Sequence, residues 1–132
     1  NFKKLVNDVK KYEIIYTRTG RKEKQYNKMD LVNYMNMNNS KYMDTEQIQG
    51  GTLLILVNTK TRKLINEWYN IGCNYHFIDD SKSVLKNDKI FKEHRHDQSI
   101  FSLLIKKYNL TNNKNLNDGV YVLRNKNGKS KI

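Results

Sequence analysis

Glu93-His94-Arg95-His96-Asp97-Gln98-Ser99 runs directly into Ile100-Phe101-Ser102-Leu103-Leu104-Ile105, and the reading of this junction decides the fold. Ile100, Phe101, Leu104, Ile105 and Tyr108 recur at helical spacing and fill more than one stripe. That pattern predicts a helix over residues 97–108, buried on most of its sides. Asp97 is expected to cap it, because a carboxylate there can accept from the free N–H groups of the first turn. A polar cluster ahead of a helix is ordinarily a solvated cap and nothing more. One Asp or Ser suffices for capping, however, and two imidazoles with a guanidinium add nothing to it. The positive end of the helix also favours an anion held there. The junction therefore reads as a working site on a rigid platform.

Working outward, the rest of the chain alternates between helical and extended patterns. Phe2, Leu5, Val6 and Val9 fall at helical spacing, Tyr12–Tyr16 reads as a strand, and Thr19-Gly20-Arg21 as its turn. Asn27 is an N-cap candidate with Asp30 as a weak capping-box partner, ahead of the apolar positions Leu31, Val32, Tyr34 and Met35. Residues 36–41 form a polar loop. Gly50-Gly51 opens Thr52-Leu53-Leu54-Ile55-Leu56-Val57, which predicts a central strand buried on both faces. The glycine pair permits a bulge or the close approach of a ligand; a simple loosening of the strand start explains it equally well. Asn58-Thr59 caps a further helix carrying Leu64, Ile65, Trp68 and Ile71. Residues 82–92 are charged and irregular, an exposed loop over the site. Asp118-Gly119 makes a turn before a final strand at Val120–Leu123 and a basic, flexible tail. Such alternation is the signature of the α/β class.

The 132 residues suffice for one domain with a modest core. Lys and Arg number 25 against 13 Asp and Glu, a formal charge of +12, so a polyanion or a phosphate-bearing ligand is the first candidate partner. The lysines and asparagines are scattered, though, and an AT-rich coding sequence explains that scatter as well. Cys73 stands alone, forms no internal disulfide, and reads as a small packing residue. No apolar run reaches the roughly 18 residues of a membrane span and no secretory signal opens the chain, so a cytoplasmic location is expected. The first residue is Asn, not Met, and the chain is expected to be a piece of a longer polypeptide. Trp68 is most simply a core or interface anchor, with stacking on a sugar ring as the alternative. Asp79-Asp80 could hold a hard cation, but a solvated turn is the commoner use of such a pair.

Several of these pieces, in their order, resemble one family. Tyr26-Asn27-Lys28-Met29-Asp30-Leu31 comes first, then Gln47-Ile48-Gln49-Gly50-Gly51 with its apolar run, then Glu67-Trp68-Tyr69. Asn74-Tyr75-His76-Phe77-Ile78-Asp79-Asp80 follows, and His94-Arg95-His96-Asp97-Gln98-Ser99-Ile100-Phe101-Ser102 is the most specific part. Residues 12–110 thereby resemble the C-terminal half of nucleotide-sugar-dependent glycosyltransferases with the Rossmann-like GT-A fold, of the kind found in bacterial polysaccharide loci and large DNA viruses. The resemblance implies a partial α/β domain with alternating helices and a mixed sheet. Residues 1–123 would be its C-terminal, acceptor-side part and residues 124–132 a basic flexible tail.

The activity implied is transfer of a sugar from a nucleoside-diphosphate sugar to a hydroxyl acceptor in glycan synthesis. Asp97 is then the candidate base or acceptor-hydroxyl anchor, although service as a cap would lower its pKa and weaken it as a base. His94, Arg95 and His96 are the candidate diphosphate contacts, Arg95 being able to make two parallel hydrogen bonds to phosphate oxygens. Gln98 would bond a sugar hydroxyl, Gly50 and Gly51 would let a sugar lie against backbone, and Trp68 completes the substrate-binding set. A divalent cation, Mn²⁺ or Mg²⁺, is implied for the complete enzyme, with its Asp-x-Asp ligands in the N-terminal half. This sequence contains no Asp-x-Asp, and the adjacent Asp79-Asp80 does not take that role. The rival from another class is a basic nucleic-acid-binding α/β module, favoured by the +12 charge and by nine Tyr and four Phe. A zinc pattern, an RNP sequence and a basic stripe are missing. A third reading is a catalytically dead remnant with a structural role. A zinc site from His76, His94 and His96 ranks last, because His at i and i+2 do not share a helical face.

Overall fold

A computed structural model describes residues 1–120 and shows a small mixed α/β protein. In chain order its elements are α1 (Phe2–Tyr12), β1 (Ile14–Ile15), β2 (Arg18–Lys22), α2 (Glu23–Tyr26), α3 (Met29–Tyr34) and α4 (Ser40–Met43). Then come β3 (Glu46–Ile48), β4 (Leu54–Ile55), α5 (Thr59–Gly72) and α6 (Asp97–Lys107). Single 3-10 turns lie at Tyr75–Phe77 and Leu116–Asp118.

The helix expected over residues 97–108 is the axis of the core. Every residue of α6 from Ser99 to Ile105 is buried, as its doubled apolar stripe requires. It lies against α5 and β3, and Ile100, Phe101, Leu104 and Ile105 share one cluster with Leu64 and Ile71 of α5, Ile48 of β3, and Leu31 and Val32 of α3. Trp68 packs its ring 4.8 Å from that of Phe101. Its indole N–H donates to the Asp97 carbonyl at 2.9 Å, tying α5 to the start of α6. α5 begins where expected, with Asn58 and Thr61 exchanging side-chain-to-backbone hydrogen bonds in a reciprocal cap. A second cluster of Leu5, Val9, Ile15 and Leu116 seats α1 on β1.

Residues 13–22 and 46–56 run antiparallel as one interrupted ribbon. Ile14 and Ile15 pair with Ile55 and Leu54, whereas Arg18 pairs with Ile48. Three steps along one side, Ile15 to Arg18, therefore span six along the other, Leu54 to Ile48. The surplus is taken up around Gly50-Gly51. This corrects the expectation of a central strand over Thr52–Val57: only Leu54–Ile55 pairs, and both are half-buried. Its partner can offer no more, because Glu13 leaves α1 at φ +70 and by Arg18 the chain has moved on to β3. Both pairings are antiparallel two-stranded sheets, so the described residues form no mixed sheet.

Other boundaries shift for local reasons. Thr19-Gly20-Arg21 lies inside β2, where Gly20 at φ +73 accommodates a register irregularity instead of making a turn. Asn27 is extended between α2 and α3, and Lys28 precedes the helix that Asn27 was expected to cap. α4 begins within the polar loop expected at residues 36–41. Cys73 is exposed at the end of α5, so it is not a packing residue. Val120 packs on the second cluster; the rest of the expected final strand and the whole basic tail lie outside the described residues.

Gly50 joins the two halves of this fold. A Cβ there would stand 3.3 Å from Gln98 Cα, a backbone atom in the first turn of α6 that cannot move without its helix. Gly50→Ala is expected to lower folding stability by about 1–3 kcal/mol, the usual cost of overpacking. The check is a lower urea midpoint at unchanged m-value.

Candidate functional site

The gap in the ribbon opens into a cleft of about 540 Å³. Thr17, Thr19 and Arg21, alternate residues on one side of the ribbon, border it together with Gln47 and Gln49 from the other side. Gly51 and Thr52 border it where the ribbon parts, and Tyr26, Arg95 and Gln98 form the facing wall. The guanidinium carbon of Arg95 lies 4.8 Å from the centre of the Tyr26 ring and that of Arg21 lies 5.7 Å from it. Arg95 also pairs with Glu93 at 2.8 Å. No carboxylate is among the residues lining the cleft. Two guanidiniums beside one ring, surrounded by hydroxyls and amides, suit an anionic ligand rich in hydroxyl groups.

The wall is held by a polar stripe on α6. Gln98, Ser102 and Lys106 recur at i, i+4 and i+8, with Ser99 beside them, so they share the face turned to α2 and β3. Gln98 Nε2–H donates to Gln47 Oε1 (2.9 Å), and Gln47 Nε2–H donates to Asn27 Oδ1 (2.9 Å). Gly50 N–H approaches Gln98 Oε1 at 3.4 Å. The Ser99 hydroxyl donates to the Tyr26 carbonyl at 2.8 Å and accepts from Arg95 N–H at 3.1 Å, which fixes both cleft residues relative to α6. The Ser102 hydroxyl accepts from Ile48 N–H (2.8 Å) and donates to Glu23 Oε1 (2.9 Å). Lys106 Nζ lies 3.1 Å from Glu23 Oε2. Burial pushes the Glu23 carboxyl up, while Lys106 and Ser102 pull it back; burial lowers Lys106 in turn.

The residues singled out at the junction divide. Arg95, Gln98 and Gly51 line the cleft, and Gly50 abuts Gln98 behind it. His94, His96, Asp97 and Trp68 are not among the lining residues. Asp97 is corrected as a cap: His96, at φ +55, precedes the helix and Asp97 is its first residue, exposed to solvent. Gln98 N–H and Ser99 N–H already donate to the Arg95 and His96 carbonyls, so the first turn does not need the carboxylate. Sequence reasoning missed Arg21, and it quoted Tyr26 and Gln47 in the family-like blocks without giving them a site role. The alternation Thr17, Thr19, Arg21 and the i, i+4, i+8 polar stripe were the signals that could have found this face.

A second polar cluster lies behind His94. Its Nδ1 accepts from Lys28 N–H at 3.1 Å and its Nε2–H meets the Phe77 carbonyl at 2.6 Å, so a neutral ring satisfies both. Burial lowers His94 to about 4, the Phe77 carbonyl opposing the shift. The buried Lys28 ammonium holds the His76 carbonyl (2.7 Å) and Asp79 Oδ1 (3.0 Å). Ser81 and Lys28 hold the Asp79 carboxyl down at about 2. Asp30 accepts from the amides of Val84 and Leu85 and pairs with His76 Nε2 at 2.6 Å, which keeps it well below the usual carboxylate range despite the opposing effect of burial. His76 Nδ1 lies 2.8 Å from Ser81 Oγ. Although Asp30, His76 and Ser81 together look like a nucleophile relay, the Ser81 hydroxyl donates to Asp79 Oδ1 at 2.7 Å. The group is a clamp on a loop. His96 Nε2 adds a further tie to Asp80 at 2.6 Å.

The sign of the His94 effect follows from its shift. An unfolded His titrates near 6.5 and the folded one near 4, so between these values the unfolded chain binds the extra proton. The stabilisation is complete above pH 6.5 and drains away as pH falls through 4, by up to about 3 kcal/mol. His94→Gln is expected to be less stable at pH 8 and to lose most of that slope, as read by urea unfolding between the two pH values.

Among the described residues no group of three or more His, Cys, Asp or Glu is placed to hold a metal ion. No helix there is long and apolar enough to cross a membrane. Comparison with protein-family models, characterised proteins and solved structures gives no match.

Proposed function

We propose that the chain is the acceptor-side part of a nucleotide-sugar-dependent glycosyltransferase, and that the cleft between the ribbon and the start of α6 receives the sugar and diphosphate of the donor. The observation that carries this reading is the pair Arg21 and Arg95 flanking Tyr26 in a cleft otherwise lined by hydroxyls, amides and glycine backbone. The guanidiniums bind the diphosphate and stabilise it as it departs. Gln98 and the threonines bond sugar hydroxyls, and Gly51 lets the ring approach the main chain. Asp97 takes no part in holding the donor. Exposed, next to Gln98 in the chain and outside the cleft lining, it is the candidate base for an acceptor hydroxyl. The divalent cation of the complete enzyme, Mn²⁺ or Mg²⁺, belongs to the same proposal, with its ligands outside this sequence. A Rossmann-like GT-A arrangement of the complete domain belongs to the same proposal, as does a cytoplasmic location.

The test is a thermal-unfolding titration of the chain with UDP- and GDP-sugars, with and without Mn²⁺. A concentration-dependent rise in midpoint for at least one donor is expected, since a ligand that binds only the folded state stabilises it. No response to any donor, with tight, steeply salt-dependent binding to random DNA, would establish the nucleic-acid module instead. In the complete polypeptide, Asp97→Asn is expected to leave donor affinity unchanged and to slow transfer on the order of a hundredfold.

A further inference from the structure

We propose that residues 82–92 dock this protein on an anionic phospholipid surface. The segment has no helix or strand, yet its backbone is firmly held. Val84 N–H and Leu85 N–H each donate to the Asp30 carboxylate at 2.8 Å, and Lys92 N–H donates to the Gln25 carbonyl at 2.8 Å. Asn87 Oδ1 accepts from Met29 N–H at 2.8 Å. A loop fixed in this way could turn its apolar side chains inward, and it does the opposite. Val84 is 88% exposed, Leu85 42% and Ile90 43%.

Those apolar tips stand among Lys82, Lys86, Lys89 and Lys92, with Asp88 the only carboxylate of the segment. Val84, Leu85 and Phe91 share a second cleft of about 550 Å³ with Lys82, Lys86 and Lys92; Asp80 and Glu93 line it too, paired with His96 and Arg95. Ammonium groups beside exposed aliphatic groups match the boundary between lipid phosphates and acyl chains, where each partner finds its own environment. The +12 charge of the chain adds long-range attraction to an anionic surface. A nucleic acid or free phosphate would use the lysines and gain nothing from Val84 or Leu85, which is why lipid is the partner these residues favour. The inference is independent of sugar transfer.

Co-sedimentation of the chain with phosphatidylcholine vesicles, with and without about a third phosphatidylserine, tests it. Binding to the anionic vesicles at least about tenfold tighter than to the neutral ones is expected. Val84→Ser with Leu85→Ser should weaken it about tenfold or more without adding charge. Lys82→Gln with Lys86→Gln should weaken it about thirtyfold. The paired control Lys10→Gln with Lys11→Gln, on exposed positions of α1, should change it less than about threefold. All these side chains are exposed, so unchanged thermal midpoints are expected as the check on folding. The proposal is overturned if the chain ignores anionic vesicles, if the Val84 and Leu85 pair binds like wild type, or if duplex DNA displaces the vesicles and depends on the same apolar residues.

Discussion

Lys106→Met is expected to cost about 3–5 kcal/mol of folding stability at neutral pH, a large share of what a domain of this size possesses. Glu23 is fully buried, and among the described residues Lys106 is the only cation whose charge is set against it there. Removing the ammonium strands the carboxylate in the interior and also deprives the Glu46 carbonyl of a donor at 2.8 Å. The pH dependence should steepen as well, because burial already holds the Glu23 carboxyl above its ordinary value with Lys106 in place. With the ammonium gone, only the Ser102 and Asn27 hydrogen bonds oppose burial and the Glu23 pKa rises further; stability from a raised carboxyl is present below its unfolded value and is lost as pH rises. The deficit of the variant relative to wild type should therefore grow as pH rises from 5 to 8. Urea unfolding across pH 5 to 8 reads both effects. Adding Glu23→Gln removes the stranded charge and should recover part of the loss, because a pair deleted together costs less than one partner deleted alone.

The second large effect concerns the ligand. Arg21→Ala and Arg95→Ala are each expected to weaken donor binding about ten- to a hundredfold, the range of a charge-assisted hydrogen bond to phosphate. Arg→Lys at either position keeps the charge and loses the parallel geometry, so an intermediate affinity is expected. Calorimetric titration with the donor that raises the unfolding midpoint measures these ratios. Both guanidiniums also lie beside the Tyr26 ring, and their loss should cost the fold no more than about 1 kcal/mol each. That small cost keeps the affinity readings interpretable. If both alanine variants bind the donor as wild type does, the diphosphate is not held in this cleft.

What could be read ahead of the structure was what single segments determine for themselves. The α6 pattern, the Asn58 cap and the apolar faces of α1 and α5 each announce themselves within a few turns of helix. The ribbon does not, because its register depends on where two distant segments agree. Thr52–Val57 has the composition of a buried strand, but only two residues find a partner once Glu13 and the glycine pair have set the limits. The site was legible in the same proportion. Arg95 and Gln98 drew notice through unusual polar density and Gly51 through the glycine pair, and all three border the cleft. Arg21 is ordinary within its own segment and Tyr26 entered only as part of a family-like block, and only the fold brings them together. The imidazole of His94 was conspicuous for chemistry and serves as a buried crosslink between Lys28 and Phe77. A residue type signals what it can do. Its neighbours across the chain decide what it does.

An ¹⁵N-resolved NMR titration with the bound nucleotide sugar addresses the cleft itself. Backbone amide shifts concentrated at Arg21, Gln49, Gly51, Arg95 and Gln98, with Val84 and Leu85 undisturbed, are the expected result. Shifts that leave those five amides in place and gather elsewhere on the chain would contradict a sugar-diphosphate site between the ribbon and α6.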